Sequence, residues 1–200
     1  VNNGICVNDK GERFTDEGQT YVQMSRDVAA MTKANWAYMI VDQAGHDVPI
    51  LANDWESYKR TKAPVYVGQT LDEAAEKAGL PVDAVKATVK AYNEAIAAGK
   101  GKTLTPVNTL PKARTVEKAP FYIVPFQGGM TATFGGPLIN VKGQVLDTEN
   151  HVIDGLFAIG NAAGGLFYDN YIGGAQLTSA AVYGIVVADF VKAAKPPAGK

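Results

Sequence analysis

The sequence predicts an α+β first region followed by a glycine-punctuated strand–loop–helix segment of α/β type. Three observations carry that expectation. Capped helical patterns alternate with short apolar runs of strand length across residues 1–130. Glycines punctuate short strands and one long helical stretch across residues 131–200. Glycine supplies 21 of the 200 residues, above the usual share of about 7%. With 46% hydrophobic and 20% charged residues, the chain can bury one substantial core or two small ones.

Composition also removes several function classes. Nineteen basic against twenty acidic residues leave a net charge of −1, so no uniform field draws the chain to nucleic acid or an anionic membrane. The single cysteine, Cys6, excludes an internal disulfide framework and any cysteine-rich metal site. Two histidines, His46 and His151, are too few for most histidine-based metal centres. The most apolar stretch, Ala180 to Val191, is too short for a bilayer and carries Asp189. The opening Val1-Asn2-Asn3-Gly4 has neither the basic nor the apolar part of a signal peptide, and its valine start suggests a piece of a longer protein.

In chain order, Ile5 and Val7, a polar Asn8-Asp9-Lys10-Gly11 turn and Arg13-Phe14 predict a hairpin. Val22, Met24, Val28 and Met31 among polar residues predict a helix from about Tyr21 to Ala34. Trp36 to Val41 is a dense apolar strand stopped by Asp42 and Gly45. Thr70-Leu-Asp-Glu73 reads as a capping box, closed by Gly79 and Pro81. A second helix runs from Val82 to Ala98, with Val85, Val89, Tyr92 and Ile96 on one face. Lys100 to Lys118 is a polar connector.

Short strands follow at Phe121–Pro125, Pro137–Asn140 and Gln144–Asp147. Gly155 to Gly160 then reads as a strand buried on both faces, entering a glycine-rich loop. A helix from Ala175 to about Ala194 closes the domain before the Pro196-Pro197 tail. Gly184 inside that helix costs about 1 kcal/mol relative to alanine, which suggests close packing there.

The Leu156–Leu177 segment is where chemistry is suggested. Gly160, Gly164, Gly165, Gly173 and Gly174 would let backbone amides approach a flat or phosphorylated ligand. The helix beginning near Gly174 would turn free N–H groups and its positive dipole end toward that ligand. Tight turns and helix–sheet packing explain the same glycines equally well. The G-x-G-x-x-G fingerprint is missing, since Gly160-Asn-Ala-Ala-Gly164-Gly165 does not fit it. So is a phosphate loop. A self-contained nucleotide-binding domain is therefore not expected.

Several runs together carry a resemblance. Phe134-Gly-Gly, Ile153-Asp-Gly-Leu-Phe-Ala-Ile-Gly-Asn161, Gly164-Gly-Leu-Phe-Tyr168, Asn170-Tyr-Ile-Gly-Gly-Ala175 and Val182-Tyr-Gly184 resemble the closing part of flavoproteins of the fumarate reductase/succinate dehydrogenase type. Val7-Asn8, Gly11-Glu-Arg-Phe14 and Asp16-Glu17-Gly18 are similar to the opening of that family's substrate-capping domain. Thr88-Val-Lys-Ala-Tyr-Asn93 matches its late cap helix. Asn170-Tyr-x-Gly-Gly resembles the tyrosine-containing variant of the 3-ketosteroid and tricarballylate dehydrogenases.

The resemblance implies an α+β capping domain over residues 1–130 and, over 131–200, the C-terminal portion of a Rossmann-like α/β FAD-binding domain, without the N-terminal dinucleotide fingerprint. It implies FAD as cofactor, a small-molecule substrate, and the N-terminal FAD-domain portion of the same protein as partner, with no nucleic acid and no membrane segment in this chain. The reaction implied is hydride transfer between flavin and a substrate C–C bond beside a carbonyl or carboxylate. Gly160, Asn161 and Ala162 would touch the ribityl chain, and Gly173, Gly174, Ala175, Gln176 and Leu177 would face the pyrimidine end of the flavin.

The dicarboxylate clamp of fumarate reduction does not carry over. The histidine expected before Thr133 is replaced around Thr131-Ala132, one arginine is Tyr171, and the proton-donating arginine aligns with His46. Tyr171 and His46 become the candidate acid–base residues, against the alternatives of a structural aromatic and an exposed loop histidine. Arg13 and Glu17, four apart, are expected to pair, and Cys6 to be a small buried residue. The isolated chain is expected to bind FAD weakly or not at all. A catalytically silent cap-and-tail module used in assembly is the alternative.

Overall fold

A computed structural model describes residues 4–31, 33–49, 52–130 and 132–194. The chain divides into two compact units, Val1–Gly129 and Met130–Lys200.

The first unit is built on a four-stranded antiparallel sheet in the order β1 (Ile5–Val7), β2 (Trp36–Asp42), β4 (Phe121–Gln127), β3 (Tyr66–Gly68). Its helices are α1 (Tyr21–Met31), α2 (Gln43–His46), α3 (Ala52–Thr61), α4 (Leu71–Ala78) and α5 (Val82–Ala97). Strand β2 is apolar from Trp36 to Val41 because both faces of the sheet are covered. Ile40, with Ile5, Val7 and Ile123, packs on the buried sides of α4 and α5 through Ala74, Ala75, Val85, Val89 and Tyr92. Met39 and Val41 face the other way, with Val124, onto Trp55 of α3. Ala37 joins Cys6, Phe14, Met24 and Val28 beside α1.

Local signals behave largely as their chemistry dictates. Thr70 Oγ1 accepts the Glu73 N–H at 3.1 Å, while the Glu73 carboxylate reaches back to the Gln69 N–H at 2.7 Å. Gly79 closes α4 in the left-handed conformation, φ +71°. The expected N-terminal hairpin is reduced to one bridge, Val7 with Arg13, because β1 pairs over its length with β2. Helix α3 and strand β3 lie in a stretch that sequence patterning did not resolve into elements.

The connector after α5 is ordered by buried polar groups. Glu17 is fully buried and pairs with Arg13 at 2.9 Å through Nε and 2.5 Å through the terminal nitrogen. It also accepts from the Cys6 N–H and the Asn108 amide. Arg13 in turn donates to the Pro106 carbonyl at 2.6 Å and lies over the Tyr92 ring at 5.5 Å. Burial, then the Glu17 charge, push the Cys6 thiol well up, so it stays protonated and unreactive. Burial and Glu17 likewise push the Tyr92 hydroxyl up to about 12.

Asp16 pins the same connector by accepting from Thr109 N and Oγ1 at 2.8 and 2.6 Å, and from Gly18 N at 2.8 Å. Burial alone would raise its carboxyl, but the Thr109 and Gly18 donors outweigh that and hold it below the ordinary range. Because the folded-state value is depressed, this stabilisation is complete above the unfolded value and fades as pH falls through the folded one. Asp16→Asn should therefore cost about 1–2 kcal/mol at neutral pH. In urea melts run at successive pH values, the gap to the native chain should close below about pH 4.

The second unit contains β5 (Gln144–Leu146) and β6 (Val152–Phe157), paired antiparallel, then α6 (Ala175–Ala193). Asn140 and Asp147 make its turns, each accepting backbone N–H groups two and four residues ahead. Its small core gathers Val145, Ala158 and Ala163. Two expectations need correction here. The strand foreseen at Pro137–Asn140 is only an isolated bridge between Ile139 and Val145. The strand foreseen as buried on both faces runs over Val152–Phe157 and is exposed along most of its length, with Leu156 47% accessible. Val152 and Ile153 are likewise exposed, and β5 is the strand paired with β6 among the described residues. Along α6, Leu177, Val182, Ile185 and Val191 are also exposed. A methyl at Gly184 would meet Ile159 at an ordinary 4.0 Å, so packing among the described residues does not demand glycine there. The Pro196-Pro197 tail lies outside the described residues, as does Thr131.

Candidate functional site

The second unit concentrates the candidate binding residues around the N-terminus of α6. Gly174 sits at the N-cap in a left-handed conformation, φ +84°, and no side chain caps the helix. The Ala175 N–H is taken by the Ile172 carbonyl at 3.1 Å. The N–H groups of Gln176 and Leu177 have no acceptor among the described residues, as expected of an uncapped first turn. A Cβ at Gly173 or Gly174 would touch nothing within 4 Å, so open space adjoins both.

Gln176 adds the most informative polar group. It is only 6% accessible, and neither its amide nitrogen nor its amide oxygen has a partner. Leaving such a group unsatisfied costs on the order of 1–3 kcal/mol. A buried amide without partners beside a bare helix N-terminus suits a polar, electron-rich ligand. The donor set therefore fits the pyrimidine end of a flavin.

The preceding loop is used differently from one glycine to the next. Gly160, φ +57°, opens a single helical turn, Gly160–Ala162, and a Cβ there would press Ala180 of α6 at 3.1 Å. The Ala162 N–H bonds the Ile159 carbonyl at 3.2 Å, so this amide is spent inside the turn. Asn161 is exposed, and its carbonyl accepts from Thr133 Oγ1 at 2.5 Å. Gly164 and Gly136 lie backbone against backbone, with no room for a Cβ on either, and the Gly164 N–H bonds the Pro137 carbonyl at 2.9 Å. At Gly164 and Gly136 close packing requires glycine, and at Gly160 the left-handed backbone and the tight contact with Ala180 favour it. At Gly173 and Gly174 the space beside the backbone is open among the described residues.

Tyr171 ends an aromatic row in this unit, its ring 5.1 Å from Phe167, which lies 5.3 Å from Phe134. Its backbone N–H bonds the Asn170 side chain at 2.8 Å. Tyr168 is 98% accessible.

His46 belongs to the first unit. It lies on α2 rather than in a loop, and its ring packs against both Trp55 at 4.6 Å and Tyr122 at 4.5 Å, themselves 5.7 Å apart. Its Nδ1 is 3.0 Å from the Asp47 carboxylate. Hydrogen bonds from Gln43, then His46, hold that carboxylate below its ordinary range. Asp42 fixes the helix by accepting the Gly45 N–H at 2.8 Å. Sequence reasoning missed Trp55 and Tyr122 as partners of this histidine. The spacing of Trp55 and Tyr58, three apart on one face of α3, was the available signal.

Comparison with known proteins gives the arrangement its context. The family model described as "FAD binding domain" matches residues 2–177. An NADH:acrylate oxidoreductase of Vibrio harveyi is 32% identical over 191 residues, covering 94% of this chain and 18% of that protein. A probable fumarate reductase, Ifc3, of Shewanella frigidimarina is 29% identical over 92% of this chain and 30% of its own length. Among solved structures, the open conformation of a flavocytochrome c3 fumarate reductase superposes with a TM-score of 0.73 at 28% identity, covering 93% of this chain and 32% of that one. The chain thus spans about a fifth to a third of the relatives it matches.

Proposed function

The chain belongs to the FAD binding domain family, with FAD as its cofactor, and on that premise we propose that it is part of an oxidoreductase acting on a C–C bond beside a carbonyl or carboxylate. The bare N-terminus of α6, with the orphaned amide of Gln176 beside it, is the observation that carries the proposal. The relatives' names, acrylate and fumarate oxidoreductases, support the bond type.

FAD, when bound, supplies hydride transfer. The chain's own residues do the rest. Gly173 and Gly174 admit the ligand against the backbone, with Ala175 beginning the helix beyond them. The Gln176 and Leu177 N–H groups stabilise negative charge at the pyrimidine end, as an oxyanion hole does. Gly160, Asn161 and Ala162 would lie along the ribityl chain, where the exposed Asn161 amide offers a donor and an acceptor. Tyr171 polarises a substrate carbonyl or donates a proton through its hydroxyl, and His46 relays protons. Residues 1–130 act as the substrate cap, and the small-molecule substrate and the upstream FAD-domain portion are the partners.

A second reading, a silent assembly module, draws on the exposed apolar residues of β6 and α6. Titration with FAD separates the two. This chain alone should show weak or no saturation of flavin fluorescence. A chain extended upstream to the length of its relatives should saturate at micromolar FAD. In that extended protein, Tyr171→Phe should lower turnover by about 10²–10⁴-fold with FAD affinity unchanged. An extended chain that leaves flavin fluorescence and absorption unchanged would sink the assignment.

A further inference from the structure

The first unit holds a cavity of about 300 Å³ whose walls are unlike anything at the α6 N-terminus. We propose that this cavity binds an aromatic monocarboxylate, with the ring among His46, Trp55, Tyr58 and Tyr122 and the carboxylate at Lys62. The inference concerns the first unit alone and needs no flavin.

The walls are aromatic faces, and the polar ends of Trp55 and Tyr122 are already engaged. Trp55 Nε1 donates to the His46 carbonyl at 3.1 Å, and the Tyr122 hydroxyl donates to Gln43 Oε1 at 2.7 Å. Tyr58 meets Trp55 edge-on at 5.7 Å and 73°. With the Trp55 and Tyr122 donors spent, ring surface remains to face the cavity, and ring surface prefers offset or edge contact with another ring. A cavity of about 150 Å³ already accommodates benzene, so this one has room for a ring and a short acid side chain.

Charge at the rim selects the sign of the ligand. Aromatic walls by themselves attract cations. Here Lys59 and Lys62 are among the lining residues. Lys59 is paired with Glu56 at 2.7 Å, whereas the Lys62 ammonium has no partner among the described residues. Behind the His46 wall, Asp47 is occupied by His46 and Gln43, and its negative charge disfavours a carboxylate at that wall relative to Lys62. A cation would meet Lys62, and a neutral ring would leave it unpaired.

The test uses the full chain, 3-phenylpropanoate and its uncharged amide, followed by NMR of the side chains that the chain supplies as built-in probes. It has two tryptophans and two histidines. Trp55 indole and His46 imidazole signals should shift saturably with the acid, while those of Trp36 and His151 stay in place. The amide should bind about threefold more weakly, the size expected of one exposed ion pair. In Lys62→Asn, chosen because asparagine tolerates the left-handed backbone at this position, φ +54°, acid and amide should bind alike. The proposal is overturned by an absence of shifts up to about 10 mM acid, a range that covers weak millimolar binding. Equal movement of Trp36 and His151, or equal affinity for acid and amide in the native chain, overturns it too. None of these outcomes depends on FAD, so the flavoenzyme reading stands or falls separately.

Discussion

Arg13→Met should destabilise the first unit by about 3–5 kcal/mol, read as a lower urea midpoint with an unchanged slope. The magnitude follows from what the substitution leaves behind. The Glu17 side chain is 0% accessible and that of Arg13 5%, so removing the guanidinium strands a carboxylate in the core. The Cys6 N–H and Asn108 amide still donate to Glu17, but neither supplies positive charge. Arg13 also ties the Pro106 and Val107 carbonyls to the start of the chain, and these bonds go with it. Replacing both partners at once, Arg13→Met with Glu17→Leu, should recover much of the loss, because no buried charge remains. A cost under about 1 kcal/mol for the single variant would place the pair in the class of solvated surface bridges.

Trp55→Ala should cost a similar amount, about 3–5 kcal/mol. The indole is 7% accessible and forms the α3 side of the cluster with Met39, Val41 and Val124. It also holds the His46 ring on one face, so its removal should free the imidazole. The expected NMR signature is a move of the His46 ring protons toward free-histidine positions, with His151 unchanged. Thermal or urea unfolding gives the stability term independently.

Much of the first unit was legible before any coordinates. Thr70, Glu73 and Gly79 delimit α4 because capping is a local transaction between a side chain and amides two to four residues away. Trp36 to Val41 could be recognised as a strand because dense apolar runs of that length suit a sheet covered on both faces. The Arg13–Glu17 pair followed from four-residue spacing. Helix α3 escaped because its sequence, Ala52 to Thr61, is mostly polar and its hold on the sheet rests chiefly on Trp55.

The site divides along the same line. That glycines and a helix start cluster between Gly160 and Leu177 is a property of the sequence, and so is the family resemblance. Local composition determined α1, β2, α4, α5 and α6, their order, and the absence of a dinucleotide fingerprint. Which glycines are packed and which are open was decided by contacts between segments distant in the chain. Gly164 needs its missing Cβ because Gly136, far back in sequence, lies against it. The sequence could name Gln176, but that its side-chain amide is buried without partners is a tertiary fact, as is the packing of His46 against Trp55 and Tyr122. Propensity and capping act over a few residues, whereas burial, stacking and orphaned hydrogen bonds exist only once remote residues share a neighbourhood.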